Sequence, residues 1–159
     1  MRDDVRMITD TRATDPGRIA ELAAARKRPE PFGTGRPLII AADHPARGSL
    51  RAGAEPMAMA DRADLLDRLR TALDRPGVTG VLGTADILED LLLLGALEER
   101  SVFASMNRGG LAGASFELDD RFTGYDVDAI AMFGYDGGKM LLRVDLDDDR
   151  TAPTLEACA

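Results

Sequence analysis

The feature that most limits the fold is an apolar run ending abruptly in an acid, Arg36-Pro-Leu-Ile-Ile-Ala-Ala-Asp43-His-Pro-Ala-Arg-Gly-Ser49. Leu38 to Ala42 reads as a strand buried on both faces, because parallel strands covered on both sides appear as continuous hydrophobic runs. Alternation along a strand puts Ile39, Ala41 and Asp43 on one side. Asp43 then sits at the carboxyl end of a strand, where α/β proteins gather their chemistry. Aspartate is also a common turn former and helix cap, and this stretch alone supports both roles.

The rest of the chain alternates such strands with helical spacing. Residues 1–14 are polar and unpatterned and read as a loose arm. Asp15 to Arg28 reads as a helix, with Asp15 at the N-cap, Pro16 in the first turn and Arg26, Lys27 and Arg28 complementing the C-terminal dipole. Ala63, Leu65, Leu66, Leu69 and Leu73 recur at helical spacing between Met59 and Leu73. Val78–Gly83 is a second strand, followed by a helix from Ala85 that Gly95 ends or bends. Ser101–Met106 is a third strand, Tyr125–Phe133 a short helix and Lys139–Val144 a fourth strand. A last helix begins at Thr151.

This order argues for βα units with parallel pairing and right-handed crossovers. The expected class is α/β: residues 15–159 form units equivalent to the first half, β1–β4, of a (β/α)8 barrel, with a helix ahead of the first strand. On this reading the domain is partial, cut within its fourth barrel helix. A lone half exposes its edge strands and its inner face, so a homo-oligomer or a complementary half-barrel is the expected partner.

Composition removes several classes. The 159 residues carry a net charge of −8 and no basic stripe, which argues against a nucleic-acid partner. No long apolar span suggests a membrane partner, and the charged stretch Met1 to Asp10 lacks a signal-peptide pattern. A cytoplasmic location is expected. Cys158, the one cysteine, permits no internal disulfide.

The richest chemistry is on strand four. Alternation places Lys139, Leu141 and Arg143 on one face and Met140, Leu142 and Val144 on the other. Two cations on an otherwise apolar face are costly unless paired or solvated. A lysine held among apolar walls beside another cation becomes a nucleophilic amine, whereas an edge strand bearing a gatekeeping lysine gives the same pattern without chemistry. Asn107-Arg108-Gly109-Gly110 follows strand three directly, where its amides and guanidinium suit a phosphate or carboxylate. His44, the single histidine, has no second histidine to make a zinc site, and a hydrogen-bonding role is expected. Asp43 and Asp145 each lie just past a strand end and together could hold Mg²⁺, although no fixed spacing demands it. No metal site is expected.

Leu38-Ile-Ile-Ala-Ala-Asp43 with Arg47-Gly48-Ser49, Asn107-Arg-Gly-Gly110 and Gly137-Gly-Lys139-Met-Leu-Leu-Arg-Val-Asp145 together resemble the (β/α)8 aldolase-like proteins. Their relatives are the class I tagatose-bisphosphate and deoxyribose-phosphate aldolases. The likeness runs from about Arg36 to the last residue and covers the first half of such a barrel. It implies that Asp43 and Lys139 take the places of the strand-one aspartate and strand-four lysine that are active-site residues in the tagatose-bisphosphate branch. That branch carries its Schiff-base lysine on strand six and its phosphate site near strands seven and eight. Transaldolases, another branch, use a strand-four lysine.

The expected activity is therefore a class I, Schiff-base lyase on a small sugar, phosphorylated or not, or a keto acid. Lys139 and Asp43 are the catalytic candidates, and Arg108, Arg143, Asn107 and His44 the substrate-binding ones. A Schiff-base route needs no cofactor. The alternatives are a catalytically inactive half-barrel that binds a partner or ligand, and a metal-assisted lyase using Asp43 and Asp145.

Overall fold

The computed structural model describes residues 2–30, 35–107, 113–114, 120 and 122–159. Four short strands, β1 (Ile39–Ala42), β2 (Gly80–Gly83), β3 (Ser101–Ser105) and β4 (Gly137–Lys139), form one sheet in that order. All three pairings are parallel, as the alternation of strands and helices requires. The helices are α1 (Arg2–Thr14), α2 (Gly17–Ala25), α3 (Arg62–Leu73), α4 (Ala85–Leu93), α5 (Val127–Phe133) and α6 (Thr151–Cys158). This is the expected half-barrel-like α/β arrangement, entered through helices.

Local chemistry accounts for most helix boundaries. The Asp61 carboxylate accepts from the Asp64 amide at 3.0 Å to start α3, and Asp126 accepts from Ala129 at 2.7 Å to start α5. Leu65, Leu66, Leu69 and Leu73 form the buried stripe of α3, and Ile87, Leu88, Leu91 and Leu92 that of α4. Helix α4 is closed by Gly95 and α5 by Gly134, both at positive φ.

At the edge strand β4 Gly138 is exposed, but over β1–β3 the sheet is covered on one face, not two. Its register aligns Ala42, Gly83, Ala104 and Gly138 across all four strands. This row of small residues lets helices approach closely: a Cβ on Gly83 would lie 3.1 Å from both Ile87 and Leu88, and one on Gly138 would lie 2.8 Å from Ile130. On the opposite face the row Ala41, Leu82, Phe103 and Gly137 is partly open, and Ala41 is exposed where Ala42 is buried. The expectation of a doubly buried strand one therefore fails. An apolar run marks a strand, but it does not reveal whether a second layer is present.

Residues 2–14 are not a loose arm. They form α1, with Asp3 and Asp4 in the first turn, Arg12 in the last and Ile8 buried to 3 % exposure. Long-range ion pairs hold the helix down. Arg12 reaches Glu89 at 2.6 Å and Asp90 at 2.8 Å on α4, and Asp4 pairs with Arg70 on α3 at 3.1 Å. Asp15 also differs from expectation: Pro16 occupies the N-cap of α2, and no side chain caps it. Arg26 leaves its own helix and donates to the carbonyls of Leu97, Arg100 and Gly134, tying α2 to the ends of two other elements.

Candidate active site

Three side chains meet at the carboxyl ends of the strands. Asp43 is the first residue past β1, Ser105 the last of β3 and Lys139 the last of β4, paired in register with Ser105. Alternation puts all three on the open face. The Lys139 ammonium lies 2.7 Å from Asp43 Oδ2, and the Ser105 hydroxyl donates to the same oxygen at 3.2 Å. The Asp43 side chain is 3 % exposed and that of Lys139 28 %. The carboxylate is thus buried and fully engaged, while the amine still opens to the mouth of the sheet. Sequence reasoning missed Ser105. Its one signal was a place at the carboxyl end of β3, level with Asp43 and Lys139 on the same face.

His44 stands beside this pair, half-exposed, with Nδ1 3.7 Å from Asp43 Oδ1. That separation is beyond hydrogen-bond distance. Arg108, Gly109 and Gly110 lie outside the described residues.

Strand four lies earlier than the expected Lys139–Val144 and shares only Lys139 with it, spanning Gly137–Lys139. The cause lies in β3. Met106 still donates to the Lys139 carbonyl at 3.0 Å, but its own carbonyl accepts from the Thr123 and Gly124 amides, so its chain leaves the ladder. The Asn107 side chain takes over. Its Oδ1 accepts from the Leu141 amide at 2.6 Å, and its Nδ2 donates to the Leu141 carbonyl at 2.7 Å and the Asp120 carbonyl at 3.2 Å. Asn107 is 0 % exposed. The substrate-binding role expected of it gives way to this backbone mimicry. The two-face division nevertheless continues beyond the strand, with Met140, Leu142 and Val144 exposed and Leu141 and Arg143 partly buried.

Arg143 is held by the chain itself. Its Nε and Nη2 each lie 2.7 Å from one oxygen of Asp120, a bidentate pair with a carboxylate that is 1 % exposed. Its expected role toward a substrate anion therefore competes with an internal partner. Asp145 accepts from the Asp147 amide at 3.0 Å. Among the described residues, no group of three or more His, Cys, Asp or Glu side chains could hold a metal ion. The Mg²⁺ pairing of Asp43 with Asp145 thus finds no third ligand there.

Comparison with known proteins adds the family. Residues 35–159 match the model of the Cgl0159-like family. The chain belongs to that family. Among solved structures it is similar to the crystal structure of Cgl0159 from Corynebacterium glutamicum, with 50% sequence identity and a TM-score of 0.93. The match covers 99% of this chain and 54% of that one, so the chain spans about half the length of its solved Cgl0159-like relative. Helices α1 and α2 lie wholly outside the family match, and the 99% coverage gives them a counterpart in that structure. No curated protein matches the chain. Both matches name the Cgl0159 group, and neither names an aldolase. No helix among the described residues is long and apolar enough to cross a membrane.

Proposed function

We propose that the chain supplies the lysine and carboxylate of a Schiff-base lyase acting on a small sugar, phosphorylated or not, or a keto acid. The observation that carries this reading is the Lys139–Asp43 contact of 2.7 Å at the carboxyl ends of a parallel sheet. For the lysine to react, it passes its proton to Asp43, and the freed Nζ adds to the substrate carbonyl carbon. The departing oxygen takes one proton from the nitrogen and a second back from the Asp43 carboxyl, water leaves and an iminium remains. The iminium accepts the electron pair of the adjacent carbon–carbon bond as it breaks, while Asp43 takes the proton of the hydroxyl that becomes the released aldehyde. Protonation of the enamine and addition of water free the second product and restore the amine. Electron count and protons balance without a cofactor.

The test is borohydride trapping with dihydroxyacetone or pyruvate, followed by peptide mass mapping. The chain has two lysines, Lys27 and Lys139. Lys27 is exposed and paired with Glu99, so it serves as an internal control for non-specific labelling. Trapping concentrated on Lys139 supports the reading. Labelling of Lys27 alone rejects it.

A second reading is a catalytically inactive half-barrel that binds a complementary half or a second copy. It is favoured by the 54% coverage of Cgl0159 and by apolar surface beside β4. Met140, Leu142, Val144 and Leu146 are all exposed there. A nearby cavity of about 600 Å³ is walled mainly by Met106, Phe122, Val127, Ile130 and Met140. The remaining 46% of the Cgl0159 chain, added as a separate polypeptide, should form a 1:1 complex with this chain in sedimentation velocity. Two non-interacting species would remove this reading.

A further inference from the structure

A second cavity, of about 250 Å³, opens at the same end of the sheet. It is lined by Thr84, Ser105 and Thr123, by Asp86 and by the small residues Ala46 and Gly124. Its wall is set by backbone: a Cβ on Gly124 would fall 2.5 Å from the Ser105 carbonyl oxygen. Ser105 links this space to the amine, because its hydroxyl contacts the Asp43 oxygen that Lys139 also contacts.

The cavity is built for hydroxyl groups, not for an anion. Helix α4 begins at its edge, and the first amides of a helix ordinarily attract negative charge. Here Asp86 already supplies that charge within the first turn. Its carboxylate accepts from the Thr84 hydroxyl at 2.5 Å and pairs with Arg62 at 2.8 Å. Among the described lining residues there is no arginine or lysine. A phosphate or carboxylate would meet Asp86 with no free cation among the described lining residues, because Arg62 is already shared between Asp86 and Asp90. The Thr84 and Ser105 hydroxyls already donate to Asp86 and Asp43, so what they offer a ligand is acceptor lone pairs, which an apolar group would leave unmatched. A neutral hydroxylated chain donates to those acceptors. The volume is also below the range of about 300–1,000 Å³ that holds drug-sized ligands, so only a short piece of substrate fits.

We infer that this cavity receives the neutral, hydroxyl-bearing end of the substrate whose carbonyl adds to Lys139. The substrate is then a polyhydroxylated carbonyl compound and not a short keto acid, with Thr84 and Thr123 determining specificity. This rests on Lys139 as the carbonyl-binding amine.

The experiment compares borohydride trapping of dihydroxyacetone and pyruvate at Lys139 in the wild type, Thr84→Val and Thr123→Val. The wild type should trap dihydroxyacetone in preference to pyruvate. Each nearly isosteric variant should lower the dihydroxyacetone-to-pyruvate ratio by about 3- to 10-fold, the worth of one hydrogen bond. A ratio that favours pyruvate, or that both variants leave unchanged, overturns the subsite while Lys139 chemistry stands. If neither compound labels Lys139, the Schiff-base reading fails, and the subsite is judged by titrating the wild type with erythritol in amide ¹H–¹⁵N spectra. Shifts confined to Thr84, Thr123 and Gly124 would sustain it, and their absence would overturn it.

Discussion

The ammonium of Lys139 lies 2.7 Å from the carboxylate of Asp43, although 96 positions separate them in the chain. Two strand ends separated by β2 and β3 thus bring one cation and one buried anion together. The pair sits where a parallel sheet presents its chemistry, and removal of either member has separable consequences. Lys139→Met should abolish trapping and also leave the Asp43 charge with the Ser105 hydroxyl as a weaker partner. A buried group deprived of its partner costs about 1–3 kcal/mol, more when charged. Urea unfolding should show that loss, and the double variant Asp43→Asn/Lys139→Met should recover part of it while staying inert. Equal destabilisation in the single and double variants would show that the orphaned Asp43 charge is not the source of the loss.

Asn107 gives a prediction in which stability changes before chemistry does. Its amide satisfies both backbone groups of Leu141 and the Asp120 carbonyl with no exposure to water. Asn107→Ala should cost about 2–4 kcal/mol, since it orphans buried backbone groups beyond β4. Asn107→Asp should be at least as damaging, because a carboxylate oxygen would then face the Leu141 carbonyl. Both are read from the denaturation midpoint. A loss below about 0.5 kcal/mol, the usual range for surface changes, would show that water replaces the amide.

These two sites show what was legible in the sequence. Apolar periodicity located α3 and α4, the end of strand one located Asp43, and face alternation singled out Lys139, because these signals are local. Helix α1 stayed hidden because it offers Ile8 as a buried anchor but is otherwise held by Arg12 and Asp4, whose partners lie 66–78 positions away. Asn107 looked like a loop ligand because an amide that continues a β-ladder has the same local signature as one that binds an anion. Arg143 reads as an anion-binding residue because no spacing pairs it with Asp120, 23 positions away. Charge pairing across the fold cannot be read from spacing.

The acid limb of stability should involve Asp86. Burial pushes its carboxyl up, but the Thr84 hydroxyl and Arg62 outweigh this and hold it below the usual value of 3.8. A depressed folded-state pKa means that its stabilisation is present above about pH 4 and fades as pH falls through the lowered value. Asp86→Asn should therefore flatten the decline in urea midpoint below pH 4 and leave its shape unchanged between pH 6 and 8. An unaltered acid limb would show that Asp86 is not among the groups that matter.

The alkaline limb should belong to the tyrosines. Burial pushes Tyr135 up to about 12 and raises Tyr125 as well, the latter reinforced by Glu89. A phenol with a raised folded-state pKa favours the native state fully below its unfolded value of about 10, and that contribution is lost as pH rises toward 12. Tyr135→Phe should retain stability between pH 10 and 12 relative to wild type, by about 2–3 kcal/mol at the upper end. Chemical unfolding followed across that range decides it, and parallel curves would place the burden on other groups.

The apolar strip beyond β4 should govern association. Leu142 and Leu146 are 50% and 91% exposed, so neither contributes much to folding of the isolated chain, yet both lie on the segment that follows the edge strand β4. Apolar patches of this kind mark surfaces that another protein covers. Leu142→Lys with Leu146→Lys should therefore change unfolding stability by less than about 0.5 kcal/mol per site. The same change should abolish self-association in sedimentation velocity and weaken capture of the complementary Cgl0159 segment at least tenfold. If stability falls instead and association persists, these leucines pack within the fold and the covering surface lies elsewhere, along the open face that carries Ala41, Leu82 and Phe103.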